Sequence, residues 1–309
     1  MLLRLPLTLT FVAAASLALA QGIDSRLEQR ASALAAEALH ADLGYSLVES
    51  LTTEVGPRLA GTEAEERARQ WAVGKLRALG FSNVRVEPFE LPVWERGVEW
   101  AQISSPYPQP LVVSALGGST ATGADGVEGE VAAFASVKAL RAAPAENLCG
   151  KIVFIDEVMT RTQDGSGYGV AAAKRREAAY VAEEKGAAAV LIRSVGTSQH
   201  RFAHTGQMRR LTEVGDSSGV PAAALSAPDA DQLQRILASH GSVTLRMVLT
   251  PQRRPVGRSG NVIAEVPGVE AADEIVLVGA HLDSWDLGTG AVDDGAGVGI
   301  VVAAAKQVM

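Results

Sequence analysis

Glu274-Ile275-Val276-Leu277-Val278-Gly279-Ala280-His281-Leu282-Asp283-Ser284-Trp285-Asp286 is the stretch whose reading decides the fold. Four consecutive apolar residues, Ile275 to Val278, predict a central parallel strand covered on both faces. The polar run His281-x-Asp283 follows at its carboxyl end, where open α/β sheets place their active sites. Gly288-Thr289-Gly290-Ala291-Val292-Asp293-Asp294-Gly295-Ala296-Gly297 and an apolar helix come next. An imidazole at a strand end suits a zinc ligand, and a carboxylate two residues on can hold its other ring nitrogen and set the tautomer. His281 is the candidate ligand and Asp283 its orienting carboxylate. Asp293, presented from the glycine-rich loop, suits a bridge between two ions about 3.5–4 Å apart. A dinucleotide loop is the rival reading, and it fails on charge. Asp293 fills the third glycine position of G-x-G-x-x-G and Asp294 follows, where a pyrophosphate needs the helix N-terminus free of anions. Asp294 alone reads as a helix cap stabilised by the dipole.

Working outward, Pro251-Gln252-Arg253-Arg254-Pro255 through Ser259-Gly260 is polar and basic and reads as a linker, ahead of a strand from Asn261 to Val266. Before it, from about Val127, short strands and helices alternate as in a separate module. The strands are Ile152 to Ile155, Ala187 to Ile192, Val220 to Leu225 and Val243 to Leu249, with helices over residues 171–185 and from Ser226 through Leu237. Nearer the start, helical spacing runs from Ile23 to about Glu54, and Gly56-Pro57-Arg58-Leu59-Ala60-Gly61 is a loop. A Thr62/Glu65 capping box then opens a helix that Gly80 stops. Strands are expected around 84–91, 101–104 and 111–113. The pairs Glu65-Glu66 and Glu183-Glu184 read as solvated helix faces, and His40, His200, His204 and His240 as surface residues.

The 309 residues are 47% hydrophobic and 20% charged, which suits a filled core rather than long disorder. With 28 basic against 35 acidic residues, a net charge of -7 and no basic block, the chain is not built for nucleic acid or an anionic membrane surface. Cys149 is the only cysteine, so no internal disulfide forms, zinc cannot rest on thiolates, and the residue reads as a small buried hydrophobe. Residues 1–20 have a single positive charge, Arg4, an apolar run and Ala18-Leu19-Ala20 before Gln21, the marks of a cleaved secretory signal. The run falls short of the roughly 20 apolar residues that a membrane span needs. The expected location is secreted or periplasmic, with no membrane attachment after cleavage.

At His281, Asp283 and Asp293 the chain resembles the zinc exopeptidases with co-catalytic metal pairs, and among them the carboxypeptidase Q type. The likeness extends to Val55-Gly56-Pro57-Arg58-Leu59, Trp94-Glu95-Arg96-Gly97, Ile192-Arg193-Ser194-Val195 and His204-Thr205-Gly206. It implies an α/β fold, an open and mostly parallel sheet with helices on both faces. Residues 127–250 would be an inserted β-rich protease-associated domain, between catalytic parts at 21–126 and 251–309. By the same resemblance two zinc ions occupy the site, His281 ligates one, Asp293 bridges both and Asp283 orients His281. The substrates implied are dipeptides or the terminal residues of short peptides, attacked by a zinc-activated water. A homodimer is an open possibility, as is the choice between carboxyl and amino ends.

The family's later Glu-Glu pair, its further Asp ligand and its late His ligand do not follow Asp293 here. The helix after Asp294 reaches Met309 with Val298, Val301, Val302 and Val308 unpaired and without a stop. The expectation is a truncated catalytic domain whose apolar faces are exposed, poorly stable and inactive by itself. Two alternatives remain: an aminopeptidase of the same family, and a binding ectodomain that keeps the insertion without zinc. Retention of His281, Asp283 and Asp293 weighs against the second. Glutaminyl cyclase shares the metal-bearing core but lacks the inserted module.

Overall fold

The computed structural model describes residues 24–208, 218–271 and 273–309, so the signal reading of residues 1–20 lies outside the described part. The first helical stretch is two helices rather than one. Asp24 caps α1 (Ser25–Ala38) by accepting from the Arg26 N–H at 2.8 Å, and α2 (Leu43–Ser50) starts after Asp42, a residue that favours helix starts over interiors. A wide turn, Leu51–Val55, carries α2 on to Gly56. The expected capping residue holds for α3 (Glu63–Ala78), where the Thr62 hydroxyl accepts from the Glu65 N–H at 3.4 Å. Glu65 itself is not a solvated helix residue. It is 3% exposed, because Arg69 and the hydroxyl of Ser259 donate to its carboxylate at 2.8 and 3.2 Å and let it sit beneath the neighbouring strands.

Those strands correct the linker reading. Residues 252–260 are not a linker but the first part of β10 (Gln252–Glu265), which pairs antiparallel with β1 (Ser82–Glu95) in a two-stranded ribbon. Pro92 and Pro255 are accommodated where the register slips between Leu91↔Gly257 and Val93↔Arg254, while Pro88 stays in register opposite Gly260.

The second sheet has eight strands: β2 (Glu99–Ser105), β3 (Gln109–Leu111), β4 (Val113–Ala115), β5 (Val127–Phe134), β6 (Ile152–Ile155), β7 (Ala189–Arg193), β8 (Ala222–Leu225), β9 (Thr244–Leu249) and, from the ordering, edges at β3 and β4. Their order is β3-β2-β9-β5-β6-β7-β8-β4, with β5 to β8 mutually parallel and the other pairings antiparallel. The expected mostly parallel sheet is thus a mixed one. Nor is the module β-rich, since α4 (Val137–Ala142), α5 (Ser166–Glu184) and α6 (Ala227–His240) cover the sheet. Side-chain alternation sorts the two faces. Val153, Ile155, Val190 and Ile192 pack with α4 and α5, whereas Ile152, Phe154, Ala189 and Leu191 pack with α6. Residues 99–115, read as part of the first catalytic segment, are hydrogen-bonded into this sheet, so no break in pairing falls between 126 and 127. Cys149 is exposed rather than buried.

Residues 274–278 are not a buried central strand. Ile275, Val276 and Leu277 are 88–90% exposed, because both sheets are built from other segments and no described strand lies beside them. The helix that follows, α7 (Ala296–Val308), does find a partner in α2. A Cβ on Gly299 would meet the Gly44 carbonyl oxygen at 2.6 Å, so two glycines let the backbones touch. Val298, Val301 and Val302 are half-buried, while Ile300 and Val308 stay exposed. No helix of the described residues is long and apolar enough to cross a membrane.

Lys174 on α5 is fully buried, its ammonium donating to the Glu157 carbonyl oxygen. Burial pushes its pKa down to about 8, with Arg193 adding to the shift and the charges of Glu157 and Asp156 opposing it. Below about pH 8 the folded state carries the full penalty of a buried charge, and above the ordinary value of 10.5 the penalty is gone. Relative to Lys174→Met, the wild-type protein therefore gains stability as pH rises through this window, by up to about 3 kcal/mol. Urea unfolding of both proteins across the range checks this, and a constant difference would sink it.

Candidate metal centre

Arg58 builds the site from beneath. Its guanidinium, fully buried, donates to the carbonyl oxygens of Gly56 at 3.0 Å, Leu282 at 2.5 Å, Gly290 at 3.1 Å and Thr289. Its backbone N–H donates to the Ser284 hydroxyl at 3.2 Å, and the Ser284 N–H returns a bond to the Arg58 carbonyl at 3.1 Å. Burial lowers the arginine's pKa, and the nearby charge of Asp283 opposes that. Gly290 closes the loop at φ 62, where a Cβ would lie 2.4 Å from that of Ser284. Beyond it Asp293 and Asp294 leave helical geometry and are joined by a cis peptide. Asp294 is the expected cap, accepting from the Gly297 N–H at 3.1 Å. It also accepts from the His281 backbone N–H at 3.2 Å.

The three residues singled out from the sequence come together. His281 Nδ1 lies 3.0 Å from the Asp283 carbonyl oxygen and 3.2 Å from its Oδ1, and Nε2 lies 2.9 Å from Asp293 Oδ1. Partial burial disfavours the charged imidazole, but the charge of Asp283 and the hydrogen bonds to Asp293 and Asp283 outweigh it, so the pKa is raised. In the neutral tautomer with its proton on Nδ1, the ring donates to Asp283 and turns the Nε2 lone pair towards Asp293. An imidazole nitrogen beside an exposed carboxylate is a donor set that suits zinc. Among the described residues no group of three or more His, Cys, Asp or Glu is arranged to hold an ion.

The eight-stranded module locks onto the same loop. Asp286 accepts two bonds from Arg96, at 2.7 and 3.1 Å, and Arg96 also donates to Glu99, Ser114 and the Ala115 carbonyl. Trp285 lies so close over Gly117 that a Cβ there would meet the indole at 2.4 Å. Gly117 in turn exchanges backbone bonds with Gly206 and Met208. The result is a cleft of about 1070 Å³ with His281, Asp283 and Asp293 on one side, Phe89 and Arg253 of the ribbon on another, and Gln207 of the module facing them. His200, His204, His40 and His240 are exposed, as expected. Sequence reasoning assigned no role to Arg58, Arg96 or Asp286. The only trace was that all three stand inside the blocks that carried the family resemblance, Asp286 in the one from His281 to Gly297.

Residues 261–309 match the profile of peptidase family M28. Carboxypeptidase Q of Bos taurus is 34% identical over 255 residues, covering 82% of this chain and 52% of that protein, and the Homo sapiens protein matches to the same extent. The chain thus spans about half the length of the curated relatives it matches. The crystal structure of a peptidase M28 precursor from Shewanella amazonensis SB2B is 52% identical, with a TM-score of 0.86 over 91% of this chain and 63% of that one. A zinc aminopeptidase from Bacillus subtilis, 23% identical with a TM-score of 0.62 over 86% of this chain and 57% of its own, shares the fold.

Replacing Arg58 by Met keeps the bulk and strands four carbonyl oxygens. The expected loss is about 3 kcal/mol of stability, with amide exchange accelerated across residues 281–295. Unchanged exchange in that loop would show that Arg58 does not organise it.

Proposed function

We propose that this homologue of carboxypeptidase Q, whose residues 261–309 carry peptidase family M28 sequence, acts in a zinc-dependent exopeptidase that splits dipeptides or removes terminal residues from short peptides. The observation that carries the reading is the His281 ring held between Asp283 and Asp293 at the wall of a large cleft. His281 Nε2 and Asp293 would hold the metal, with Asp293 shared by two zinc ions. When bound, zinc supplies Lewis-acid activation of water and of the scissile carbonyl. The chain's own contribution is positional. Asp283 keeps the Nδ1 proton in place, Arg58 fixes the loop that carries both donors, and the module walls the cleft so that a peptide is confined beside them. Residues 127–250, with the strands from Glu99 that join them, serve as the protease-associated insertion. Residues 1–20 direct export, so the enzyme works in a secreted or periplasmic setting.

Titration with cobalt(II), a spectroscopic substitute for zinc, tests the site. Wild-type protein is expected to give a ligand-field absorption that vanishes in His281→Ala and Asp293→Ala. In Asp283→Asn the affinity should fall about 10–100-fold, the usual effect of losing an orienting carboxylate. A cobalt spectrum indifferent to His281 would remove the basis of the reading.

A further inference from the structure

Five Arg, His and Asp side chains line the cleft, and four already contact another ionisable side chain. Asp283 and Asp293 flank the ring of His281. Arg254 makes a two-pronged pair with Glu95, at 2.9 and 3.2 Å. Arg253 differs from its neighbour. Its guanidinium donates to the Gly118 carbonyl oxygen and, at 3.1 Å, to the Ser218 hydroxyl, and among the described residues no carboxylate pairs with it. Both acceptors are neutral, so they orient the group and leave its charge uncancelled. Arg253 stands on β10 while its supports belong to segments that join the eight-stranded module, so the ribbon and the module together aim it into the cleft.

We propose that Arg253 is the anchor for the free α-carboxylate of a short peptide, so that the cleft reads the carboxyl end of its substrate. The inference rests on the exopeptidase reading and deepens it. A guanidinium has five N–H donors in a rigid fork, and with some committed to Gly118 and Ser218 the rest match the two oxygens of a carboxylate. An α-ammonium group would instead need an unpaired carboxylate. The cleft's two carboxylates both face His281, so nothing among the described lining residues serves that end.

The test compares binding of the dipeptide Ala-Leu, its C-terminal amide and its N-acetyl form to the 309-residue protein by titration calorimetry, with cobalt(II) titration run on the same samples. The acid and the N-acetyl acid are expected to bind alike and the amide about tenfold or more weaker. Arg253→Gln should bring the acid down to the level of the amide and leave the amide unchanged, and Arg253→Lys should restore part of the difference. Arg253 is exposed, so both variants should keep the wild-type melting temperature and the cobalt spectrum. Equal affinity for acid and amide, weakening on N-acetylation instead, an equal loss for both ligands in Arg253→Gln, or no binding of any of the three peptides would overturn the anchor. If the His281-dependent cobalt spectrum persists in those cases, the exopeptidase reading stands without it. If that spectrum is absent as well, both fall.

Discussion

Taking a guanidinium out of water costs several kcal/mol unless its donors find acceptors. In this protein the acceptors of Arg58 are carbonyl oxygens of its own loop and of the segment 282–290, and its backbone is zipped to Ser284, 226 positions away. The charge can therefore be buried only when the later loop has closed in one particular shape. That requirement runs in both directions. The loop holds that shape because opening it would leave a positive charge stranded in the interior, and Gly290 supplies the one backbone turn that leaves room for the arginine and Ser284. His281 and Asp293 flank the clamped segment, so the distance between their side chains depends on Arg58.

A second arginine performs the corresponding task at the module boundary. Arg96 gathers Asp286, Glu99, Ser114 and the Ala115 carbonyl around one half-sealed guanidinium, and Trp285 fills the space that the missing side chain of Gly117 leaves. Neighbouring residues of the loop after His281 thus face different parts of the molecule: Ser284 towards Arg58, Trp285 and Asp286 towards the module. The cleft between them is a joint product, and its shape depends on contacts that neither part makes alone.

The grouping of His281 with Asp283 and Asp293 was legible because it is local. A histidine, a carboxylate two residues on and an acidic pair in a glycine-rich loop carry their meaning within thirteen positions, from His281 to Asp293. The alternating strands and helices of the module were legible for the same reason, since its short apolar runs, buried on both faces, are visible segment by segment. What stayed hidden depends on distant partners. Residues 252–260 look like a linker by composition and become a strand only because β1 lies beside them, with Pro92 and Pro255 absorbed at a register slip. Glu65 is charged and helical, so nothing nearby indicates that Ser259 will cover it. Arg58 in a Gly-Pro-Arg-Leu loop resembles any surface arginine until Leu282 to Gly290 close around it. The apolar run 275–278 was read correctly for its hydrophobicity and wrongly for its setting, because hydrophobicity states what a strand needs and not which neighbours it has.

The ribbon of β1 and β10 has a consequence for how the chain assembles. Glu95 and Gln252 are paired across it, so everything between them leaves and re-enters at a single rung. A module with that arrangement is contiguous in sequence and carries its own two cores, so it can complete them before the ribbon forms. Once it has folded, the ends it presents are already neighbours, and the entropy of closing so long a loop has been settled before the ribbon zips. The order of events then runs from the middle of the chain outwards, and the loop of residues 281–295, which closes on Arg58 from one side and on Arg96 and Gly117 from the other, takes its shape after them.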